Sequence, residues 1–380
     1  MSLSLIAQKF ILIIKKMVGR KKDNIITKYY PEQNYRVIFN KKTGYFVRAE
    51  EKGFPEPLWS KGGPELLDIS ITNWCDKGCV FCYRKSTVVG KHMPLEDYIF
   101  LIEQAKELDV FQVALGGGNP NQHPNFIEIL EATVKNGIVP CYTTNGRGLS
   151  NEILDATKKY CGSVAISAYE PYSEFRGNIE KLLKFGIKAN VHFVIDALSI
   201  DTAIEWMENP PEILNGINSI IFLNYKPIGR KPNHDLLLKD KSKIEKFFKL
   251  VDNNEHTLKI GFDSCSISGV ARYLNANTAF YEGCDAGRFS AFVDEDLRMF
   301  PCSFMTNTDW FGSLKNKTMK EIWQDGEFFQ KYRNRIINNG CSSCSLQSVC
   351  MGGCPFIEEL SLCGWKDERL AKEKNPSTVS

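Results

Sequence analysis

The sequence predicts an α/β protein built on a parallel sheet wrapped by helices. From residue 67 onward, short apolar runs with strand character alternate with longer stretches of helical periodicity. The glycines, polar side chains and cysteines suited to chemistry follow the ends of those runs, which is where parallel α/β sheets place their sites. Past about residue 254 the alternation gives way to spaced cysteines, so a second, cysteine-rich region is expected there.

Strands are expected over 67–72, 110–115, 139–143, 163–167, 189–195 and 219–223. Helices are expected between them over 95–108, 125–136, 151–159, 172–185 and 202–208, with a further helical spacing over 320–333 that should pack between the cysteine groups. A doubly wound open sheet and a partial barrel share this local signature. Ahead of the sheet, apolar alternation on both sides of Asn40-Lys41-Lys42-Thr43-Gly44 reads as a hairpin. The first stretch, 5–17, contains Phe10-Ile11-Leu12-Ile13-Ile14. It is shorter than the roughly 20 apolar residues a membrane span needs. Its positive charges follow the apolar run instead of leading it, unlike a signal peptide. A helix docked on the body of the protein is the expectation.

The 380 residues suffice for two or three domains, and 43% hydrophobic with 24% charged residues is the composition of an ordinary globular protein. Lys+Arg 48 against Asp+Glu 45 leaves only +3, which gives no support to a nucleic-acid partner. No transmembrane segment is expected. Thirteen cysteines, an odd count with C-x-x-C spacings, fit metal ligation better than a secreted disulfide framework, and free thiolates imply a reducing, cytoplasmic interior.

Directly after the first strand of the alternating region comes Cys75-Asp76-Lys77-Gly78-Cys79-Val80-Phe81-Cys82. Three thiolates this close can grip a cubane iron-sulfur cluster and leave one iron open for a second molecule. A zinc site is the competing reading; it needs a fourth ligand, for which only His92 is near, and C-x-x-x-C-x-x-C is not a usual zinc spacing. The run resembles the signature of the radical SAM family. That resemblance implies a partial (β/α)6 barrel in which Cys75, Cys79 and Cys82 hold a 4Fe-4S cluster. The open iron would chelate S-adenosyl-L-methionine and cleave it to a 5'-deoxyadenosyl radical.

By the same resemblance Phe81 lies near the adenine, and Gly117-Gly118-Asn119-Pro120 stands for the family's G-G-E-P motif, with Asn119 offering an amide oxygen where a carboxylate usually accepts the cofactor's amino group. Thr143-Thr144-Asn145-Gly146 is similar to the family's T-N-G turn, and Ser167 would touch the cofactor's ribose or carboxylate. Tyr169 and Glu170 read as solvated loop, His123 and His192 as satisfied core histidines, Cys141 and Cys161 as small buried residues, and 225–230 as a lining of the cavity mouth.

Cys284, Cys302, Cys341, Cys344, Cys350, Cys354 and Cys363 resemble the SPASM pattern, with Leu297 where that pattern has glycine, so a different local turn is expected. A zinc ribbon is the alternative for 341–354 alone. The resemblance implies two auxiliary 4Fe-4S clusters, one on Cys341, Cys344, Cys350 and Cys363, the other on Cys284, Cys302 and Cys354. The fourth corner of the latter is open or closed by Cys265, which has a rival catalytic role as a hydrogen donor and a third as a small buried residue. The expected organisation is an N-terminal extension over 1–60, a radical SAM core over 61–256 and a SPASM domain over 257–380. The implied activity is oxidative crosslinking of a precursor peptide, fed by an electron donor such as flavodoxin or ferredoxin. Peptide epimerisation and formylglycine formation on a sulfatase are alternatives within the class, and a non-enzymatic zinc or electron-transfer protein is the alternative outside it.

Overall fold

The computed structural model describes residues 24–50, 56–254, 258–275, 281, 283–338, 341 and 343–364, and the helix expected over 5–17 lies outside them. The chain divides into two compact units, Met1–Gly62 and Gly63–Ser380. The first carries an antiparallel sheet of β1 (Ile25–Tyr30), β2 (Tyr35–Asn40) and β3 (Phe46–Glu50) in that order. The expected hairpin is β2 and β3. Its turn forms because Asn40 Oδ1 accepts the Lys42 and Thr43 N–H groups at 3.0 and 3.1 Å and Gly44 takes a φ of 74°. β1 is an additional strand.

In the second unit the strands β4 (Leu66–Thr72), β5 (Gln112–Gly117), β6 (Val139–Thr144), β7 (Val164–Ala168), β8 (Ala189–Ile195), β9 (Ser219–Asn224) and β10 (Ile260–Phe262) lie side by side in sequence order, all parallel. Between them run α1 (Leu95–Glu107), α2 (Phe126–Lys135), α3 (Asn151–Tyr160), α4 (Tyr172–Lys184), α5 (Ile200–Glu208) and α6 (Lys241–Asp252). Burial separates the two candidate architectures. A sheet covered by helices on both faces reads as continuously apolar. Here the strands alternate: Pro140, Tyr142 and Thr144 of β6 are buried, whereas Val139, Cys141 and Thr143 are half-buried. The half-buried face continues through Asp68, Ala114, Ser167, Asn190, His192 and Ile221, joined by the registers Asp68↔Ala114↔Cys141 and Ser167↔His192↔Ile221. It is the inner face of a partial barrel.

His192 therefore is not a core histidine as expected. It stands on the inner face, and burial lowers its pKa to about 4, so the ring is neutral near pH 7. Cys141 shares that face and donates to Val113 O at 3.3 Å. His123 does behave as expected: buried, with Nε2 2.9 Å from Met93 O and Nδ1 accepting from Asn125 N–H at 3.0 Å.

The cysteine-rich region extends the same sheet. After α7 (Ile267–Tyr273), strand β11 (Ser290–Val293) pairs parallel with β4, and β12 (Arg298–Phe300) and β13 (Gly312–Ser313) follow antiparallel. β4 is thus an interior strand. The β11–β12 turn is closed by Leu297 N–H donating to Asp294 O at 3.0 Å. Leu297 takes a left-handed backbone there, φ 62°, at a cost of roughly 1–2 kcal/mol, and its buried side chain offsets that cost. The helix expected over 320–333 is broken at Gly326 into α8 (Met319–Asp325) and α9 (Glu327–Ile337), and α10 (Gln347–Cys350) follows.

The same turn carries Glu295, whose Oε2 meets Arg84 Nη2 at 2.6 Å and accepts from Ser70 Oγ at 2.9 Å, all three side chains being buried. Removing one partner of a buried pair costs about 3–5 kcal/mol, because the other charge is left unpaired. Arg84→Met is accordingly expected to lower stability by about that much in denaturant unfolding, and adding Glu295→Leu to recover most of the loss. Asp68 is a second measurable site. Burial raises its carboxyl to about 6, so the group is strained once charged and its destabilising effect grows as pH climbs from the unfolded pKa through the folded one. Asp68→Asn should leave stability unchanged near pH 4 and increase it at pH 8 by about 3 kcal/mol at most.

Candidate metal and cofactor centre

The loop after β4 is held by backbone packed directly on backbone. Trp74 N–H donates to Thr72 Oγ1 at 2.9 Å, Cys75 N–H to Thr87 O at 3.0 Å, and Gly118 and Asn119 N–H to Thr72 O and Trp74 O at 2.6 and 3.0 Å. A Cβ on Gly118 would stand 2.0 Å from Trp74 O, and one on Gly229, 2.3 Å from Cys82 O. Only glycine permits such contacts. The segment 225–230 closes on this loop, with Arg230 N–H donating to Cys82 O at 3.0 Å and its guanidinium to Ser86 O.

Within the loop, Cys79 is pushed up to about 11, first by burial and then by the neighbouring Cys82 and Cys75. Three thiolates at this spacing repel one another, so ionising all three requires a cation among them. Donors are already aimed at the sulfur of Cys75: Lys77 N–H at 3.5 Å and Asn145 Nδ2 at 3.6 Å. In a cubane cluster each cysteine takes its own iron, and three thiolates around a cationic core meet that need. The donor set fits the cluster.

Beside these cysteines stand the other residues singled out from the sequence. Phe81 packs edge-on against Tyr169 at 5.2 Å, and the Tyr169 hydroxyl is hydrogen-bonded to Ser167. Tyr169 therefore belongs to the site and not to a solvated loop, whereas Glu170 is exposed. Asn119 also joins two turns of the site. It is fully buried, its Oδ1 accepts from Thr144 Oγ1 at 3.0 Å and Asn145 N–H at 3.1 Å, and its Nδ2 donates to Arg147 O and Gln122 Oε1 at 2.9 and 2.6 Å. The one Thr144 hydroxyl hydrogen is shared with Asn121 Oδ1, at 2.6 Å, so Asn119 ties the β5 turn to the β6 turn while its oxygen keeps capacity to accept a further hydrogen bond.

The later cysteines gather in two groups. Cys341, Cys344, Cys350 and Cys363 line one cavity with Ser268 and Ser361. Burial, then Cys363, pushes Cys350 up to about 11. In the other group, burial and then Cys354 push Cys284 up to about 12. The hydroxyl of buried Tyr332, on α9, lies within electrostatic reach of Cys284, Cys302, Cys354 and Cys265. Ile357 N–H donates to Cys354 Sγ at 3.2 Å. Cys265 is thus brought to Cys284, Cys302 and Cys354, and both groups resemble cradles for a cationic, four-cornered guest.

Comparison with known proteins follows the same division. Residues 69–199 match the radical SAM superfamily, and residues 284–345 match the SPASM iron-sulfur cluster-binding domain. The chain is a radical SAM enzyme with a SPASM domain. Among its relatives are the AdoMet-dependent heme synthase of Methanosarcina barkeri, 22% identical over 76% of this chain and 90% of the relative, and the PqqA peptide cyclase of Ruegeria pomeroyi, 22% identical over 82% and 87%. The solved structure of Streptococcus suis SuiB bound to S-adenosylmethionine superposes with a TM-score of 0.70 at 16% identity, covering 88% of this chain and 95% of SuiB, a likeness that shows the fold.

This radical SAM enzyme also places residues at the site that sequence reasoning passed over. Arg147 binds Glu174 at 2.7 Å and Asp76 O at 3.0 Å, and Lys77 pairs with the same Glu174, so the cluster loop is pinned to the β6 turn and to α4. Tyr83 packs on Phe304 with ring centroids 4.8 Å apart and the planes tilted by 50°, which links the residue after Cys82 to the one two past Cys302. A charged pair at strand ends was the signal for Lys77 and Glu174, but nothing local marks partners 97 residues apart. Because Gly118 touches Trp74, Gly118→Ala should give a folded protein by circular dichroism that holds less iron than the unsubstituted protein, read by iron quantification.

Proposed function

We propose that this radical SAM enzyme modifies a ribosomally made peptide, forming an oxidative crosslink, either a thioether or a carbon-carbon bond. In this reading Cys75, Cys79 and Cys82 hold the catalytic cluster, and Phe81, Gly117, Gly118, Asn119 and Ser167 seat S-adenosyl-L-methionine. When bound, the cluster and cofactor supply a 5'-deoxyadenosyl radical. Asn119 also holds the two strand-end turns in register. A crosslink removes two hydrogens from the substrate: one leaves as an atom, the other as a proton and an electron, and the electron needs an acceptor within reach.

The observation that supports this reading is the convergence of Cys265 with Cys284, Cys302 and Cys354. We assign Cys265 as the fourth ligand of that auxiliary cluster, with Cys341, Cys344, Cys350 and Cys363 holding the other, three 4Fe-4S clusters in all. A ligating Cys265 has no hydrogen to donate, which weighs against epimerisation. A peptide substrate agrees with the PqqA peptide cyclase relative and with the SuiB structure solved with precursor peptide SuiA. A low-potential donor such as flavodoxin or ferredoxin, in a reducing cytoplasm, would supply the electron that starts turnover. No helix of the described residues is long and apolar enough to cross a membrane.

Anaerobic reconstitution with iron and sulfide, then incubation with S-adenosyl-L-methionine and dithionite, is expected to yield 5'-deoxyadenosine, and Cys82→Ala to yield none. Co-expression with candidate precursor peptides should give a product lighter by two hydrogens on mass spectrometry. A product of unchanged mass would instead assign epimerisation, and turnover of a heme precursor with no peptide would overturn the substrate class.

A further inference from the structure

Lys226 is a buried cation that the assignments above leave without a task. It follows β9 by two residues, is 8% exposed, and its ammonium is paired with the Asp263 carboxylate. The ammonium also lies 4.8 Å from the centroid of the Phe304 ring. Asp263 is fixed in turn: its Oδ1 accepts from Ser266 Oγ at 2.9 Å and Asn224 N–H at 3.3 Å. Each group that grips the ammonium stands two positions from a cysteine of one cluster site, Asp263 from Cys265 and Phe304 from Cys302.

A buried ion pair is a poor device for stability, since apolar residues of the same volume hold strand ends as well or better. The charge calls for another account. Burial pushes the Lys226 pKa down, but Asp263 and then Cys265 more than offset it and the net shift is upward, so the ammonium keeps its proton. Its two contacts, Asp263 and Phe304, hold the ammonium beside the site of Cys265 and Cys302. A fixed positive charge beside a cluster stabilises its reduced, more negative state, and net charge is one of the quantities that set cluster potential.

We propose that Lys226 is a positioning residue for electron flow: its charge raises the reduction potential of the auxiliary cluster on Cys265, Cys284, Cys302 and Cys354, and Asp263 is the counterweight that limits the rise. The proposal rests on the ligand assignment made above.

The test is a potentiometric titration followed by electron paramagnetic resonance on the full-length, anaerobically reconstituted enzyme. The relevant signal is identified as the one lost in Cys284→Ala, and the signal lost in Cys344→Ala serves as an internal reference. Lys226→Met is expected to lower the reduced-to-oxidised ratio at fixed potential by about tenfold, which is 59 mV for a one-electron couple, while Lys226→Arg stays near the unsubstituted enzyme. Asp263→Asn is expected to move the potential the opposite way. It decides the matter alone if Lys226→Met loads no iron at this site. Unchanged potentials, shifts of the same sign in both variants, or an equal shift in the reference signal would overturn the role of Lys226. If no signal depends on Cys284, the ligand assignment falls first, and the proposal with it.

Discussion

Direct contact between main chains around the cluster loop is the constraint on which the rest of the structure depends. Gly90 faces Asn73, Gly117 faces Thr72, Gly118 faces Trp74 and Gly229 faces Cys82, each with no room for a side chain. A loop that carries three thiols, which repel one another once ionised, has little reason to stay closed by itself. Strand ends from β5 and β9 approach close enough to hydrogen-bond its peptide groups, which fixes the direction of its sulfurs without using any side chain that chemistry needs.

Around that clamp, polar side chains connect elements far apart in sequence. Asn119 joins two strand-end turns, Glu174 collects Lys77 and Arg147, and Glu295 reaches Arg84 and Ser70. The last of these ties the residue two past Cys82 to a turn of the cysteine-rich region. The catalytic loop and the auxiliary sites are consequently parts of one packed assembly, with Tyr83 and Phe304 filling the space between them.

Much of this was legible from the sequence. The six strands over 67–223 and the five helices between them were found within a few residues, because period-2 and period-3.6 patterns are strong in a sheet with one helix-covered face. The cysteine groups were legible because spacing encodes them. What escaped was set by partners remote in sequence. β10 and β11 to β13 are too short to show a period, α6 was missed although Asp240 caps it by accepting from Ser242 and Lys243 N–H, and α8 and α9 were read as one helix across Gly326. Asn119 was legible as a site residue from its motif position; only the positions of Thr144, Asn145, Arg147 and Gln122 reveal that it also ties two turns together. His192 shows the converse case, since an apolar run does not tell which side of the sheet each residue takes.

The parallel pairing of β11 with β4 has a consequence for how such a chain can be divided. The cysteine-rich segment is not a cassette appended to a finished enzyme: cutting the chain ahead of residue 290 would strip β4 of its neighbour and bare a row of main-chain donors and acceptors, an invitation to strand exchange between molecules. Gain or loss of this module in descent would then have required a replacement border for the sheet at the same time.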